Sequence, residues 1–117
     1  MTLNDFLAKL DTAPDTIEFT DTMAVIEALY DYTPTAFQNG ELSNAAGQNG
    51  GSCKLFSFAR LQGLNEAQTL ACFGRYYRED VLQHPQATDH QNIRNFIRDG
   101  WDGIVFKGDA LQARHAD

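Results

Sequence analysis

Apolar residues recur along much of this chain with the spacing of amphipathic α-helices. Near the start they stand three and four positions apart, which puts them on one face of a helix that ends before Pro14. A second stripe begins at Met23, and Thr20 stands where a capping residue is expected. This stripe ends close to Pro34, because the residue before a proline avoids the helical region. The pattern therefore predicts two helices in the first third of the chain.

The middle of the chain contains a segment with very little polar surface. Cys53 to Leu61 is apolar except at Lys54, Ser57 and Arg60, which stand three positions apart and form one narrow polar line on a helix. A helix with so little polar surface must be largely buried. We therefore predict that this helix lies at the centre of the fold.

Two further helices follow the central one. Asn65 can cap a long helix that extends to about Leu82. The segment Thr88 to Gln91 matches a capping box, and the helix after it ends at Gly100, which suits a left-handed C-terminal stop. The chain is thus expected to contain about five helices.

Signals for β-structure are few. Gly103 to Phe106 is short and rich in β-branched residues, and it could pair with a strand at Thr35 to Phe37. From Thr35 to Ser52, glycine and asparagine alternate as in a loop. We therefore predict a mainly α fold, with about five helices packed around the central one and a minor two-stranded β element. Residues 1–117 are expected to form a single domain.

Composition limits the classes of function. The chain has 117 residues, 43% of them hydrophobic, so it can bury a core without metals or disulfides. Its net charge is −7, with no basic patch to bind nucleic acid, and no apolar run approaches the ~20 residues that span a bilayer. Two cysteines, Cys53 and Cys72, are predicted to be free thiols in a reducing compartment. We expect a soluble, acidic, cytoplasmic protein with neither nucleic acid nor membrane as a partner.

One candidate ligand site lies at the beginning of the central helix. Gly47 to Ser52 leads into this helix, whose N–H groups and positive dipole end can receive an anion. Asn44, Asn49 and Ser52 are the candidate contacts. The P-loop pattern is not met, because the lysine it requires before the serine is absent. The alternative interpretation is that the glycines only permit tight turns against a packed helix.

A second candidate is nucleophilic chemistry at Cys53. This cysteine is expected in the first turn of the central helix, where the dipole can lower the pKa of a thiol. His90 or His84 would serve as the base; the alternative is that Cys53 is a small buried apolar residue. Cys72 and the two histidines are zinc-ligand types, but their spacings match no known pattern. No metal or cofactor is therefore expected.

Several segments of the chain resemble the HopJ type III effector family. They occur in one order over roughly residues 15 to 106 and comprise Tyr30 to Gly40, Asn44 to Gly47, Gly51 to Ala59, Thr69 to Gly74 and Asp89 to Phe96. The resemblance implies a shared fold. The family is named for bacterial proteins delivered into plant cells, so the resemblance also implies secretion into a host cell. It supplies no catalytic residue.

The sequence supports three hypotheses about function. The first is a type III effector-like protein of unknown molecular activity that acts as a small protein-interaction module. The second is a small-molecule or anion-binding protein, or an enzyme, that uses the Asn/Gly-rich loop and Cys53. The third is a structural scaffold domain. We favour the first, with a protein as its partner. The second requires convergence of the candidate residues in one cavity, namely Asn44, Asn49, Cys53, His84, His90 and Trp101.

Overall fold

A computed structural model describes residues 1–114, which contain five α-helices and five short strands. The helices are α1 (Leu3–Thr12), α2 (Phe19–Leu29), α3 (Gly50–Leu61), α4 (Glu66–Ala71) and α5 (Gln91–Asp99). The strands are β1 (Tyr30–Tyr32), β2 (Phe37–Asn39), β3 (Leu42–Asn44), β4 (Ile104–Phe106) and β5 (Leu111–Ala113). Short 3₁₀ turns lie at Pro14–Thr16 and Gly100–Gly103, and a π-helical turn lies at Tyr76–Val81.

The strands form two antiparallel sheets, with the orders β3-β2-β4 and β1-β5. The prediction of a mainly α fold with a minor two-stranded β element is therefore wrong, because the protein is mixed α/β. The predicted pairing near Phe37 is present, since this residue lies opposite Phe106. However, the sequence pattern predicts the end of a helix at β1 and a loop at β3, and it gives no signal at β5. Strands of three residues are too short to show the alternation that identifies β-structure.

The two sheets are the two arms of one bent ribbon. Residues 30–39 pair with residues 104–113 in a single antiparallel register through both sheets. Backbone hydrogen bonds extend the pairing from each arm toward the bend: Thr33 N–H to the Ala110 carbonyl, 2.8 Å, and Lys107 N–H to the Ala36 carbonyl, 3.0 Å. The interruption falls at Pro34, which has no N–H to donate to the ladder. The proline thus divides one ribbon into two short sheets.

Helix α3 is at the centre of the core, as the sequence predicts. It begins at Gly50, three residues earlier than expected, and six of its side chains are buried. Phe56 is the hub, because its ring lies between 5.0 and 6.3 Å from four other aromatic rings, those of Phe37, Phe73, Phe96 and Trp101. The helix supports both the ribbon and the helices around it.

The long helix predicted from Asn65 to Leu82 is broken. The predicted cap at Asn65 is present, but α4 ends at Ala71 and a π-helical turn follows. Gly74 separates the two with a φ of +63°, and a Cβ there would lie 2.7 Å from the backbone nitrogen of Phe19. This close approach to α2 requires glycine, so tertiary packing interrupts the helix. Helix α5 ends at Gly100 as predicted, but the φ and ψ of this glycine, 63° and −155°, lie outside the left-handed helical region that the sequence predicts.

Two helix caps differ from prediction, and one of them shapes the candidate site. Helix α2 is capped by Glu18 rather than by Thr20. Helix α5 begins after His90, not after Thr88. The Gln91 side chain donates a hydrogen bond to the Thr88 carbonyl, so the predicted reciprocal capping box does not form. His90 instead begins the helix in the left-handed conformation.

Candidate functional site

The N-termini of α3 and α5 meet at one open cleft of about 440 Å³. Helix α3 contributes Asn49, Gly51 and Ser52, and α5 contributes the four residues from His90 to Ile93. Three aromatic rings complete the walls, those of Phe19, Phe73 and Tyr76. The two helices are distant in sequence, and the fold directs both of their positive dipole ends at the same space.

Both helices begin after a residue in the left-handed conformation. Asn49 has φ and ψ of 53° and 48°, and His90 has 51° and 49°. They are the two non-glycine residues with positive φ in the described chain, and asparagine and histidine are among the types that tolerate it. Neither side chain accepts a hydrogen bond from the helix that it begins. The first-turn N–H groups thus lack a side-chain cap at both termini.

A network of five asparagines links the two helix N-termini. The amides of Asn44 and Asn92 pair reciprocally, with N–O distances of 3.2 and 3.0 Å. Asn49 donates to Asn44 Oδ1 at 2.6 Å, and Asn39 donates to Asn92 Oδ1 at 2.9 Å. Asn95 donates to the backbone carbonyl of Asn39 at 3.0 Å. Four of the five are buried, so the network fixes the loop before α3 to the first turn of α5.

His90 is oriented by an acidic residue at the edge of the cleft. Its Nε2 lies 3.0 Å from Asp80 Oδ2, and its ring packs 5.2 Å from that of Tyr76. The neighbouring Asp89 is held by Arg94 at 2.8 Å, and this hydrogen bond lowers the pKa of the Asp89 carboxyl. The His90 imidazole is therefore within 4.0 Å of two carboxylates, those of Asp80 and Asp89, and the second of these is paired with Arg94.

Cys53 lies in the first turn of α3 but does not line the cleft. Its Sγ is 3.5 Å from the Thr35 carbonyl oxygen, and the residue is only 1% exposed. Burial raises the pKa of the thiol, against the lowering that a helix N-terminus alone would produce. A thiol that keeps its proton is a poor nucleophile.

The structure brings some of the sequence candidates together and separates others. Asn49, Ser52 and His90 line one cleft, and Asn44 lies directly behind it in the asparagine network. The cleft lining does not include Cys53, His84 or Trp101. Sequence reasoning missed the buried network as a unit, because Asn44 and Asn92 are 48 residues apart.

Two findings bear on other kinds of site. Among residues 1–114, no group of three or more His, Cys, Asp or Glu side chains is arranged to hold a metal ion. In the same part of the chain, no helix is long and apolar enough to cross a membrane.

Both cysteines of the native protein are expected to resist alkylation under non-reducing conditions. They are unpaired and at most 1% exposed, so the reagent reaches them only after unfolding. Mass measurement after treatment with iodoacetamide should show no label on the native protein and two labels on the denatured protein. A denatured protein that takes up no label would reveal a disulfide, and a labelled native protein would show that a thiol is accessible.

The buried thiols also predict a loss of stability in alkaline solution. Burial raises the pKa of Cys72 from 9.0 to about 12. An unfolded thiol loses its proton at lower pH than the folded one, so the unfolded state gains stability as the pH rises from 9.0 toward 12. Below pH 9.0 the thiol is protonated in both states, so the contribution of Cys72 to the free energy of unfolding is fully present there. Cys72→Ala should flatten the alkaline part of the curve of unfolding free energy against pH; an unchanged curve would contradict the assignment.

The fold and the site define a mixed α/β protein in which a buried helix and a bent ribbon support a cleft at two helix N-termini. The chain belongs to the HopJ type III effector protein family, whose pattern matches residues 3–111, and the resemblance noted in the sequence is thereby confirmed. Its structure is similar to the crystal structure of VPA0580, a protein of unknown function, with a TM-score of 0.96 and 57% sequence identity over 97% of this chain and 95% of that chain. No curated protein matches the chain. These relationships establish the family and the fold, and they specify no activity.

Proposed function

We propose that this protein is a small interaction module that receives one anionic group of a partner protein in the cleft between α3 and α5. The observation that carries the proposal is the convergence of two uncapped helix N-termini on one cleft. Each N-terminus carries the equivalent of roughly half a positive charge, and together they favour a carboxylate or a phosphate. Asn49 and Ser52 are the proposed contacts of this group, and His90 is its titratable neighbour.

The shape of the surrounding surface supports a partner protein as the source of the anion. A second hollow of about 270 Å³ adjoins the cleft, and the two share Phe19 and Tyr76 as walls. The two shared rings lie edge to face, 5.4 Å apart, and Tyr76 is 44% exposed. An extended peptide could cross this aromatic ridge and occupy both depressions. The family description adds an effector role to the proposal, in which the partner is a protein of the cell that receives the effector.

One observation favours a second candidate, a hydrolase. Ser52 and His90 line the same cleft, and His90 contacts Asp80 at 3.0 Å, which supplies the residue types of a Ser-His-Asp triad. In the described chain, however, no hydrogen bond joins Ser52 to His90. The interaction module is therefore the primary proposal. Ser52→Ala separates the two, because it would abolish hydrolysis of an activated ester while leaving the backbone N–H groups able to bind an anion.

Ser52→Asp tests the proposed cleft directly. An aspartate in the first turn of α3 suits the helix dipole, so the thermal midpoint should stay equal or rise. The same carboxylate would occupy the anion position and repel a ligand. Asn4→Asp is the matched control, because it makes the same charge change in the first turn of α1, where Asn4 is exposed.

Binding is measured by titrating the ligand into the ¹⁵N-labelled protein and monitoring the shifts of the backbone amide NMR resonances. Inorganic phosphate should shift the resonances of residues 50–52 and 91–93 in the wild type and in Asn4→Asp, but not in Ser52→Asp. A peptide with one phosphoserine among apolar residues should bind more tightly than phosphate, and its unphosphorylated parent should not bind. Shifts no larger than those from chloride would refute the anion site. Equal affinity for phosphate and phosphopeptide would refute the partner-protein part of the proposal.

A further inference from the structure

A separate hollow of about 400 Å³ lies between α3 and the bent ribbon. Helix α3 contributes Ser57, Arg60 and Leu61 to its lining, and the ribbon contributes the continuous segment 104–111. None of these residues lines the cleft at the helix N-termini. The hollow is therefore a second concave site, at the bend that divides the ribbon into two arms.

The hollow is lined by the lysine and arginine side chains that form no ion pair within the described chain. Of the nine lysines and arginines, seven have a carboxylate within 4.0 Å. The two others are Arg60 and Lys107, and both line this hollow. Within residues 1–114, neither has an acidic side chain at ion-pair distance, although Asp109 also contributes to the lining. In a chain with a net charge of −7, this hollow is a local positive site.

Arg60 is held in place before any ligand arrives. Its guanidinium carbon lies 5.1 Å from the ring centroid of Trp101 and 5.6 Å from that of Phe106. One end, Nη2, donates to the Ile104 carbonyl at 3.1 Å. These contacts restrict the guanidinium and leave its other N–H groups available. A guanidinium group that is already fixed in this way loses little conformational entropy when it binds a planar carboxylate.

Ser57 forms part of the floor of the same hollow. It precedes Arg60 by one helical turn, so the two side chains lie on the same face of α3. Ser57 is only 8% exposed, and its buried Oγ interacts with the Cys53 thiol. The charged contacts of a ligand therefore come from Arg60 and Lys107, which both line the hollow.

The remaining lining is apolar and partly exposed. Leu61 is 58% exposed and Val105 is 56% exposed, and both border the hollow with Ile104 and Leu111. Such a rim suits a ligand with an apolar body, which would cover these side chains. It does not suit a free phosphate, which needs polar contacts on every side.

We propose that this hollow binds a small monocarboxylate with an apolar chain. The carboxylate lies against Arg60 and Lys107, and the apolar chain packs on Leu61 and Val105. This site is independent of the cleft proposed for a partner protein. It gives the protein a second, small-molecule ligand.

Hexanoate is the test probe, with acetate and hexanol as comparisons that lack the apolar chain or the charge. Titration of the ¹⁵N-labelled full chain should shift resonances of residues 57–61 and 104–111, and the Ser52→Asp variant should bind hexanoate as well as the wild type does. Acetate and hexanol should each bind far more weakly. Hexanol binding as tightly as hexanoate, or no shift with hexanoate, would overturn the proposal.

Charge variants identify the contacts. Lys107→Gln and Arg60→Gln should each weaken hexanoate binding, the latter by roughly tenfold or more because it removes the fixed guanidinium group. Lys54→Gln is the matched control, because Lys54 is also on α3 but pairs with Glu27 and does not line the hollow; its affinity should be unchanged. Lys107 is exposed, so its replacement stays informative if the Arg60 variant folds poorly. Unchanged affinity in Lys107→Gln and in a folded Arg60→Gln would overturn the assignment.

Discussion

Replacing Phe56 with alanine is expected to lower the free energy of unfolding by about 3–5 kcal/mol. The Phe56 side chain is fully buried in α3 and contacts four aromatic rings, from the ribbon, from the segment after α4, from α5 and from the 3₁₀ turn after it. Its removal leaves a cavity that these elements cannot all close, because each is held by other contacts. Chemical denaturation followed by circular dichroism would measure the loss.

Leu61→Ala is the matched control for Phe56→Ala. It shortens an apolar side chain on the same helix, but Leu61 is 58% exposed, so the expected change is within about 0.5 kcal/mol. A loss from Phe56→Ala no larger than that from Leu61→Ala would show that α3 is not the centre of the core.

Asn92→Ala is expected to cost about 1–3 kcal/mol for the buried polar groups that it leaves without partners. The Asn92 carboxamide accepts from Asn39 and Asn44 and donates to Asn44 Oδ1. Without it, the loop before α3 is no longer tied to the first turn of α5. We therefore expect weaker phosphate binding at the cleft as well as lower stability, measured by denaturation and by the amide titration.

Asn49→Gly removes the exposed member of the asparagine network, and its acceptor, Asn44 Oδ1, keeps the hydrogen bond from Asn92. Glycine adopts the positive φ of Asn49 without strain, and the residue is exposed, so the free energy of unfolding should change by less than about 0.5 kcal/mol. If Asn92→Ala proved as stable as Asn49→Gly, the buried amides would not hold the two helix N-termini together.

Part of the candidate site could be predicted from sequence. Glycine and asparagine leading into an apolar helix indicate an N-terminus that can receive an anion, with Asn49 and Ser52 as candidate contacts, and both line the cleft in the structure. For His90 the sequence predicts a side-chain role, as a candidate base for Cys53. Its backbone role could not be foreseen, because Thr88 and Gln91 offered a capping box that the tertiary structure does not use. A local motif has several ways to satisfy its hydrogen bonds, and packing selects among them.

Cys53 is a second case in which tertiary packing overrides a local sequence signal. Its position in the first turn of α3 was correctly inferred, and position alone favours a low thiol pKa. The pKa is raised instead, because the side chain turns into the core beside the Thr35 carbonyl. Desolvation depends on which elements cover a side chain. The residues next to Cys53 in the sequence do not determine which elements pack over its side chain.

By itself, the sequence determined which segments of this protein must be buried and where several helices begin and end. Periodicity, caps and prolines are local properties, so α1, the central helix and the start of α4 could be predicted from them. Only the tertiary structure decided the mixed α/β class, the break at Gly74 and the meeting of two helix N-termini. Strands of three residues are stabilised by pairing with strands distant in the chain. The helix breaks at Gly74 because the backbone at Phe19 packs directly against this glycine. These interactions join residues that no local pattern connects, and they form only when the whole chain packs.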